Sequence, residues 1–286
     1  MTDANISPVR DPFVLLENGV YYMYATGWVC YKNTSGLPDG EWVKLPGPIC
    51  RVPENAVDNF WAPEVHRYKG KFYMFTTYLS SLTGHRGSTV LCSDSPEGPF
   101  TEISSGHLTP GDWDCIDSTL YIDPQGQPWM VFVHEWTSTP DKVGTFAAAK
   151  LSPDLSRLIS RPIELFRADE PDWAVSGVTD GCFLYTTEKG ELLMLWSNFC
   201  AQGYCVAVAR SSNGRPDGKW IHEEKLLYSK DSYGDYDGGH GMIFATPEGK
   251  KYLVLHAPND NDRGRGETPR FIPIRQENGK LITEDR

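Results

Sequence analysis

Five copies of one sequence unit predict an all-β chain folded as a five-bladed β-propeller. In each copy an acidic residue or histidine leads into a strand, a Gly-bearing turn and a second apolar strand. The leads are Asp11, Glu64, Asp117, Asp180 and His240, at spacings of 53, 53, 63 and 60 residues, in the range that marks propeller blades and other repeat arrays. Each copy holds one hairpin whose apolar face must be covered by a neighbouring copy. The composition agrees: 40% apolar and 23% charged residues, 21 prolines, 27 glycines, and 9 Trp, 14 Tyr and 12 Phe suit a turn-rich β protein with a substantial core. In a propeller the innermost strands run along a common axis, so residues at one register meet around one mouth of the channel. The five lead residues are expected there.

The elements follow in order. Residues 1 to 10 are short and polar and are expected to pair with the last blade, closing the ring. Blade one runs from Asp11 to about Val57, its outer half carrying the Leu37-Pro-Asp-Gly40 turn and the segment Glu41-Trp-Val-Lys-Leu45. Blade two, from about Asp58 to Ile103, contains Thr89 to Phe100, read as an outer strand running into a Pro/Gly turn. Blade three, from about Ser104 to Arg167, has Thr145 to Leu151 as a middle strand and Ile163 to Phe166 as an outer one. Its Ala run favours helix on propensity alone. The repeat overrides that preference, because small side chains suit a crowded blade interface. Blade four, from about Ala168 to Ser229, places Tyr204 to Arg210 in the equivalent position and Pro216-Asp-Gly-Lys-Trp220 as its outer turn. Blade five begins near Asp231 and ends with Phe271 to Ile274 and an Asn278-Gly279 hairpin to Leu281. Asn259 to Thr268 is polar and Gly-rich, a surface loop of the kind that reaches a ligand. The repeat fills residues 1–286 as a single catalytic domain.

Charge and cysteines narrow the partners. A net charge of −11 with no Lys/Arg cluster gives nucleic acid no basic face. No apolar run reaches the 18 or more residues of a membrane span, and the start lacks a basic and apolar secretion signal. As written the chain reads as cytoplasmic, without a membrane partner; a trimmed signal would make it periplasmic or secreted. Seven cysteines, with no Cys-x-x-Cys, read as free, mostly buried thiols.

Carboxylates converging on one mouth repel one another, so at least one is expected to have a raised pKa. Such a set separates into acid and base. Glycoside hydrolysis requires both: one carboxyl protonates the leaving oxygen, and another activates water or attacks the anomeric carbon. Aromatic side chains suited to stacking on sugar rings lie close by: Phe60, Trp61, Trp113, Trp136, Trp173 and Trp196. Most of these belong to core or blade packing. Trp61 is the one expected to be exposed.

These residues carry a resemblance. Val9-Arg10-Asp11-Pro12, Phe60-Trp-Ala-Pro-Glu-Val65, Asp94-Ser-Pro-Glu-Gly-Pro-Phe100 and Cys115-Ile116-Asp117 resemble the motifs of glycoside hydrolase family 43, five-bladed propellers that trim arabinose and xylose from plant polysaccharides. The resemblance covers essentially the whole chain and implies an inverting mechanism. It implies Asp11 as general base and Asp117 as the residue that tunes and orients the acid. Where the family has Glu-Gly-Pro at the start of blade four, this chain has Thr179-Asp180-Gly181-Cys182. Asp180 is therefore the expected general acid, one methylene farther from the scissile oxygen. Glu170 or Asp172 is the alternative, and Asp180 would then only cap its turn. Glu64 matches a segment that shapes the pocket floor, so Phe60, Trp61, Glu64, Trp196 and His240 are the expected substrate-binding residues. The resemblance implies for His240 a place facing the axis. In many members that histidine ligates a central calcium or sodium ion through a shell of waters, and no other cofactor is required. A lone His is also often a hydrogen-bonded pocket residue.

The expected activity is exo-acting release of terminal L-arabinofuranose or D-xylose from an oligosaccharide or polysaccharide side chain. A galactan- or galactofuranose-specific glycosidase fits the same carboxylates, and a retaining fructan enzyme would need a closer pair. The rival from another class is a carbohydrate-binding propeller without chemistry, motivated by Asp180 standing where Glu is expected.

Overall fold

The computed structural model describes residues 2, 3, 6, 8–233, 236–259 and 266–284, and its strands form five antiparallel sheets. Blade one is Phe13–Glu17, Val20–Ala25, Val29–Asn33 and Val43–Lys44. Blade two is Ala56–Tyr68, Lys71–Ser80, Arg86–Ser93 and Thr101–Glu102. Blade three is Cys115–Ile122, Pro128–His134, Thr145–Lys150 and Ile163–Arg167. Blade four is Asp180–Thr186, Leu192–Cys200, Gly203–Ser211 and Trp220–His222. In each of these, strands pair in chain order from the inside out.

Blade five closes the ring. Its inner three strands are Gly239–Ala245, Lys251–Ala257 and Thr268–Glu277. The outer edge of the third is shared by Lys280–Thr283 and by Thr2–Asp3 from the other end of the chain. Thr2 pairs with Phe271 and Asp3 with Arg270, the closure expected from the sequence. Every innermost strand contacts the innermost strands of the neighbouring blades, and the last contacts the first. The all-β five-bladed propeller is thus the observed fold.

Small side chains set the blade spacing as the repeat required. Ala147, Ala148 and Ala149 are buried in the third strand of blade three. Side chains alternate across a strand, so Ala147 packs toward blade two with Phe75 and Val90, while Ala148 packs toward blade four with Met194 and Trp196. Burial on both faces, not helix propensity, decides the conformation. The two Pro-Asp-Gly-x-Trp turns are also built alike. Trp42 Nε1 donates to the Pro38 carbonyl at 2.9 Å and Trp220 Nε1 to the Pro216 carbonyl at 3.0 Å, so each indole folds back over its own turn. Trp42 then stacks on Phe271, centroids 5.9 Å apart, joining blades one and five.

Three local expectations are corrected. Residues 89–93 lie in the third strand of blade two, and its outer strand is only Thr101–Glu102, because the Pro96 to Pro99 turn separates the two. The first strand of blade two begins at Ala56, well before Glu64, with three register shifts along it. A one-turn helix, Lys230–Tyr233, precedes blade five. Of the polar loop from Asn259 to Thr268, residues 260–265 lie outside the described residues. All seven cysteines are free, six of them buried. Among the described residues no helix is long and apolar enough to cross a membrane.

Candidate active site

Every blade enters the channel through the same backbone device. Asp11, Ala62, Asp117, Gly181 and His240 have φ of 55, 42, 50, 59 and 54°, the left-handed region that costs a side chain about 1–3 kcal/mol. Four of the five sit in an explicit register shift. In blade three the pairing jumps from Ile116↔Val133 to Thr119↔Val131, in blade four from Asp180↔Ser197 to Phe183↔Leu195, and blades two and five repeat the jump. A bulge of this kind re-aims a side chain. Two rings result: the left-handed residues face the axis, and the residues just before them, Arg10, Trp61, Ile116, Asp180 and Gly239, form the tier above. The lead residues inferred from sequence therefore do not share one register. Asp180 stands one residue before the left-handed position, and Glu64 two beyond it.

The left-handed backbone N–H groups are satisfied across the blade boundaries. Ala62 donates to Thr26 Oγ1 at 3.0 Å, Asp117 to Thr77 Oγ1 at 3.2 Å, His240 to Ser197 Oγ at 2.8 Å and Asp11 to His256 Nδ1 at 3.3 Å. Each acceptor lies on the second strand of the preceding blade or, for Thr26, one residue past its end, opposite the tier residue. Blade three breaks the pattern, because Val133 occupies that place. Gly181 N–H donates instead to Asp117 Oδ2 at 2.8 Å. The Asp117 carboxylate thus holds the backbone next to Asp180.

The charges at the centre are strongly coupled. Burial alone would raise Asp11, but His240, with Nδ1 3.1 Å from Asp11 Oδ1, and Arg10 at 3.7 Å outweigh it and hold the carboxyl far below its usual range. Thr26 donates to Asp11 Oδ2 at 2.6 Å. Asp117 goes the other way: burial raises it, as does the Asp11 charge, and His240 Nδ1 at 3.7 Å only partly compensates. Asp180 is pushed up to about 7 by burial and then by the Asp117 charge. For His240, burial works against protonation, but Asp11, Asp117 and Asp180 together push it up to about 10. His256 is held down to about 3 by burial. Being neutral, it meets Asp11 as a hydrogen-bond acceptor rather than as an ion-pair partner.

A cavity of about 420 Å³ opens over these groups, within the usual range for a small-ligand site. Arg10, Asp11, Trp61, Asp117, Asp180 and His240 line it, together with Glu135, Trp136, Phe199, Tyr204 and Asn259. Other predicted residues lie elsewhere. Glu64 is buried farther down the channel, 3.0 Å from His66 Nε2, where its charge raises Asp117 and Cys182. Phe60 turns away to pack edge-on against Trp28. Trp196 is fully buried between blades three and four among Phe146, Phe166 and Trp173. Its apolar ring is part of blade packing. The alternative acids Glu170 and Asp172 do not line the cavity; Glu170 faces His222 at 3.5 Å on the outer side of the blades.

Sequence reading missed Glu135, Arg86 and Tyr204. Arg86 Nε bonds Glu135 Oε2 at 2.7 Å, and its guanidinium lies 5.8 Å from the Trp61 ring centroid, bracing that indole at the cavity wall. The only sequence signal for Glu135 was the acidic-aromatic pair Glu135-Trp136 after the second strand of blade three. Tyr204 is hidden in an apolar middle strand and gave none.

A cation in the channel would need ligands of its own. Calcium takes six to eight oxygen ligands, whereas among the described residues no group of three or more His, Cys, Asp or Glu is arranged to hold a metal ion. His240 Nδ1 is already turned toward Asp11 and Asp117. Among the described residues the side chains thus offer a hard cation no set of three or more direct ligands, so an ion on His240 would be held through waters.

Comparison with known proteins shows the family. The model of glycosyl hydrolases family 43 matches residues 7–279. An endo-arabinase structure from Bacteroides thetaiotaomicron superposes with a TM-score of 0.85 at 35% identity, covering 98% of this chain and 99% of that one. An extracellular exo-α-(1→5)-L-arabinofuranosidase of Cellvibrio japonicus is 25% identical, over 87% of this chain and 78% of that protein. A probable arabinan endo-1,5-α-L-arabinosidase C of Aspergillus niger is 24% identical, over 88% and 83%. With the family's model matched along nearly its whole length and a propeller bearing two aspartates and a histidine around the axis, this chain belongs to glycosyl hydrolase family 43.

Proposed function

We propose that the protein is an inverting glycoside hydrolase that cleaves terminal α-1,5-linked L-arabinofuranose from arabinan or its oligosaccharides. The observation that carries the chemistry is the opposed titration of two cavity carboxyls: Asp11 held ionised beside His240, and Asp180 pushed up to about 7. Such a pair divides base from acid. In the step, Asp180 gives its proton to the glycosidic oxygen as the bond to the anomeric carbon breaks. Water attacks the opposite face and Asp11 takes its proton. Asp117 raises Asp180 by its charge and fixes the adjoining backbone through Gly181. The His240 charge that keeps Asp11 ionised also weakens it as a base, which leaves much of the rate to positioning.

Arabinan is favoured over xylose because the relatives above are named for arabinan-directed activities. Exo action is supported by cavity walls drawn from all five blades, which suit a chain end. Endo action is the second reading, favoured by the 35% identity to an endo-arabinase. Linear α-1,5-arabinan and 4-nitrophenyl α-L-arabinofuranoside, β-D-xyloside and β-D-galactoside separate these readings. Arabinose as sole early product supports exo action, and a ladder of oligomers would favour endo. Binding of arabino-oligosaccharide without hydrolysis of any substrate would sink the enzyme reading. Proton NMR of the first-formed anomer tests inversion.

A further inference from the structure

Gly239 is the one tier residue without a side chain, and the space it leaves is filled from the neighbouring blade. A Cβ at Gly239 would meet the Tyr204 ring at 2.3 Å. Tyr204 lies on the third strand of blade four, paired with Phe199. Its ring lies near those of Phe199 and His256, centroids 5.1 and 5.8 Å away. Its backbone N–H is held by Asp237 Oδ2 at 3.1 Å. So fixed, its phenol reaches the cavity and donates to Asp180 Oδ2 at 3.0 Å.

We propose that Tyr204 is the positioning residue of the acid: by occupying Oδ2 of Asp180 it directs the transferable proton to Oδ1. This rests on the reading of Asp180 as general acid. The hydroxyl oxygen of a protonated carboxyl is a weaker acceptor than its carbonyl oxygen, so a fixed O–H donated to Oδ2 favours the carboxyl's own proton on Oδ1. The phenol can serve as donor throughout the working range, since burial and then the Asp180 charge raise it well above its ordinary value. The remaining groups facing Asp180 are Asp117 from blade three, His240 from blade five and Arg10 from blade one. Of these groups and Tyr204, it is the Tyr204 phenol that makes the 3.0 Å hydrogen bond to Asp180 Oδ2.

Tyr204→Phe keeps the ring and removes the donor. On linear α-1,5-arabinan, whose leaving alcohol needs the proton, kcat should fall about tenfold, a part of the roughly 10²- to 10⁴-fold that a positioned acid contributes as a whole. On 4-nitrophenyl α-L-arabinofuranoside, whose leaving group needs little protonation, the loss should be smaller, with KM little changed on either. The alkaline limb of kcat/KM should move to higher pH, because the carboxylate loses a donor that stabilised it. Gly239→Ala, by displacing the ring, should reproduce all three effects. Equal losses on both substrates with the limb unmoved would reduce Tyr204 to packing and overturn the proposal. Asp180→Asn tests the underlying reading separately: arabinan activity surviving in that variant would remove Asp180 as acid. A ¹³C NMR titration of aspartate-labelled protein, with the Asp180 signal assigned from Asp180→Asn, needs no substrate. Its midpoint should rise in Tyr204→Phe, and an unchanged midpoint would count against the proposal.

Discussion

Asp180 sits where burial and the Asp117 charge both favour the protonated form, pushing it up to about 7. As general acid it must hold that proton, so activity should decline as pH rises through about 7, read as the alkaline limb of kcat/KM. The same shift affects stability. Because its folded value lies above the unfolded one, the fold favours the proton, and stability is lost as pH rises from about 4 to about 7. Asp180→Asn should therefore raise the melting temperature at pH 8 relative to wild type, with little gain at pH 4, while lowering arabinan kcat about 10²-fold or more. Thermal denaturation at the two pH values checks the first part. His240 has the same sign for a base: its stabilisation is present below about 6.5 and is lost as pH rises through about 10. His256 is buried neutral and opposes it, losing stability as pH falls from about 6.5 toward about 3. Trp61 is the aromatic wall of the cavity, braced by Arg86. Trp61→Ala should raise KM about tenfold with a smaller change in kcat, the mark of lost sugar stacking rather than lost chemistry.

At the scale of the element, the inner-strand bulge does what sequence spacing alone could not. It adds one residue to the strand and turns one side chain toward the axis, so acidic residues one or two positions apart occupy different tiers. Gly181 shows how tightly this is packed: a Cβ there would lie 2.9 Å from both Cα and the ring of His240, at a φ of 59°. Gly181→Ala should destabilise the protein by about 1–3 kcal/mol and reduce activity by shifting His240. Gly190, in a turn on blade four with a φ of 79° and nothing within 4 Å of a Cβ, is the control. Gly190→Ala should cost about 1 kcal/mol and leave kcat unchanged. Urea denaturation and arabinan assays on both variants test the contrast; equal effects on activity would mean that strain, not the His240 contact, is responsible.

At the scale of the molecule, the ring is a closed chain of blade interfaces, and the site lies where all five meet. Closure joins the two ends of the described chain: Thr2–Asp3 completes the edge of the strand Thr268–Glu277 beside Lys280–Thr283. Deleting residues 1–8 leaves buried Val9 and its bond to the Glu267 carbonyl in place. It should lower the melting temperature, since each kcal/mol lost shifts a protein of this size by about 2–4 °C. Because Arg10, next to Asp11, bonds Asn259 across the boundary between blades one and five, arabinan activity should fall at temperatures below the new melting point. Differential scanning fluorimetry with assays across temperature measures both. An unchanged melting point would show that Lys280–Thr283 alone seals the ring.

The fold was legible because it repeats: five hairpins with matching turns, the Pro-Asp-Gly-x-Trp pair and small residues at the blade interfaces are all local patterns that survive without coordinates. The same repetition identified Asp11, Asp117, Asp180 and His240 as residues of one mouth, and the cavity gathers all four. It misplaced Glu64, because a bulge changes tier without leaving a composition signal. It also misassigned Trp196 and Phe60, because an aromatic residue reads the same in sequence whether it packs a blade or faces a sugar. Tyr204, Glu135 and Arg86 needed the tertiary structure altogether. Glu135 and Tyr204 line the cavity and Arg86 braces its wall, each from a strand or turn whose own pattern is ordinary, and their meeting is decided by which blades lie side by side and by where a glycine leaves room. Local periodicity determines the blades; distances between carboxyls, donors and imidazoles, and therefore the direction of every shift in the site, exist only once the ring has closed.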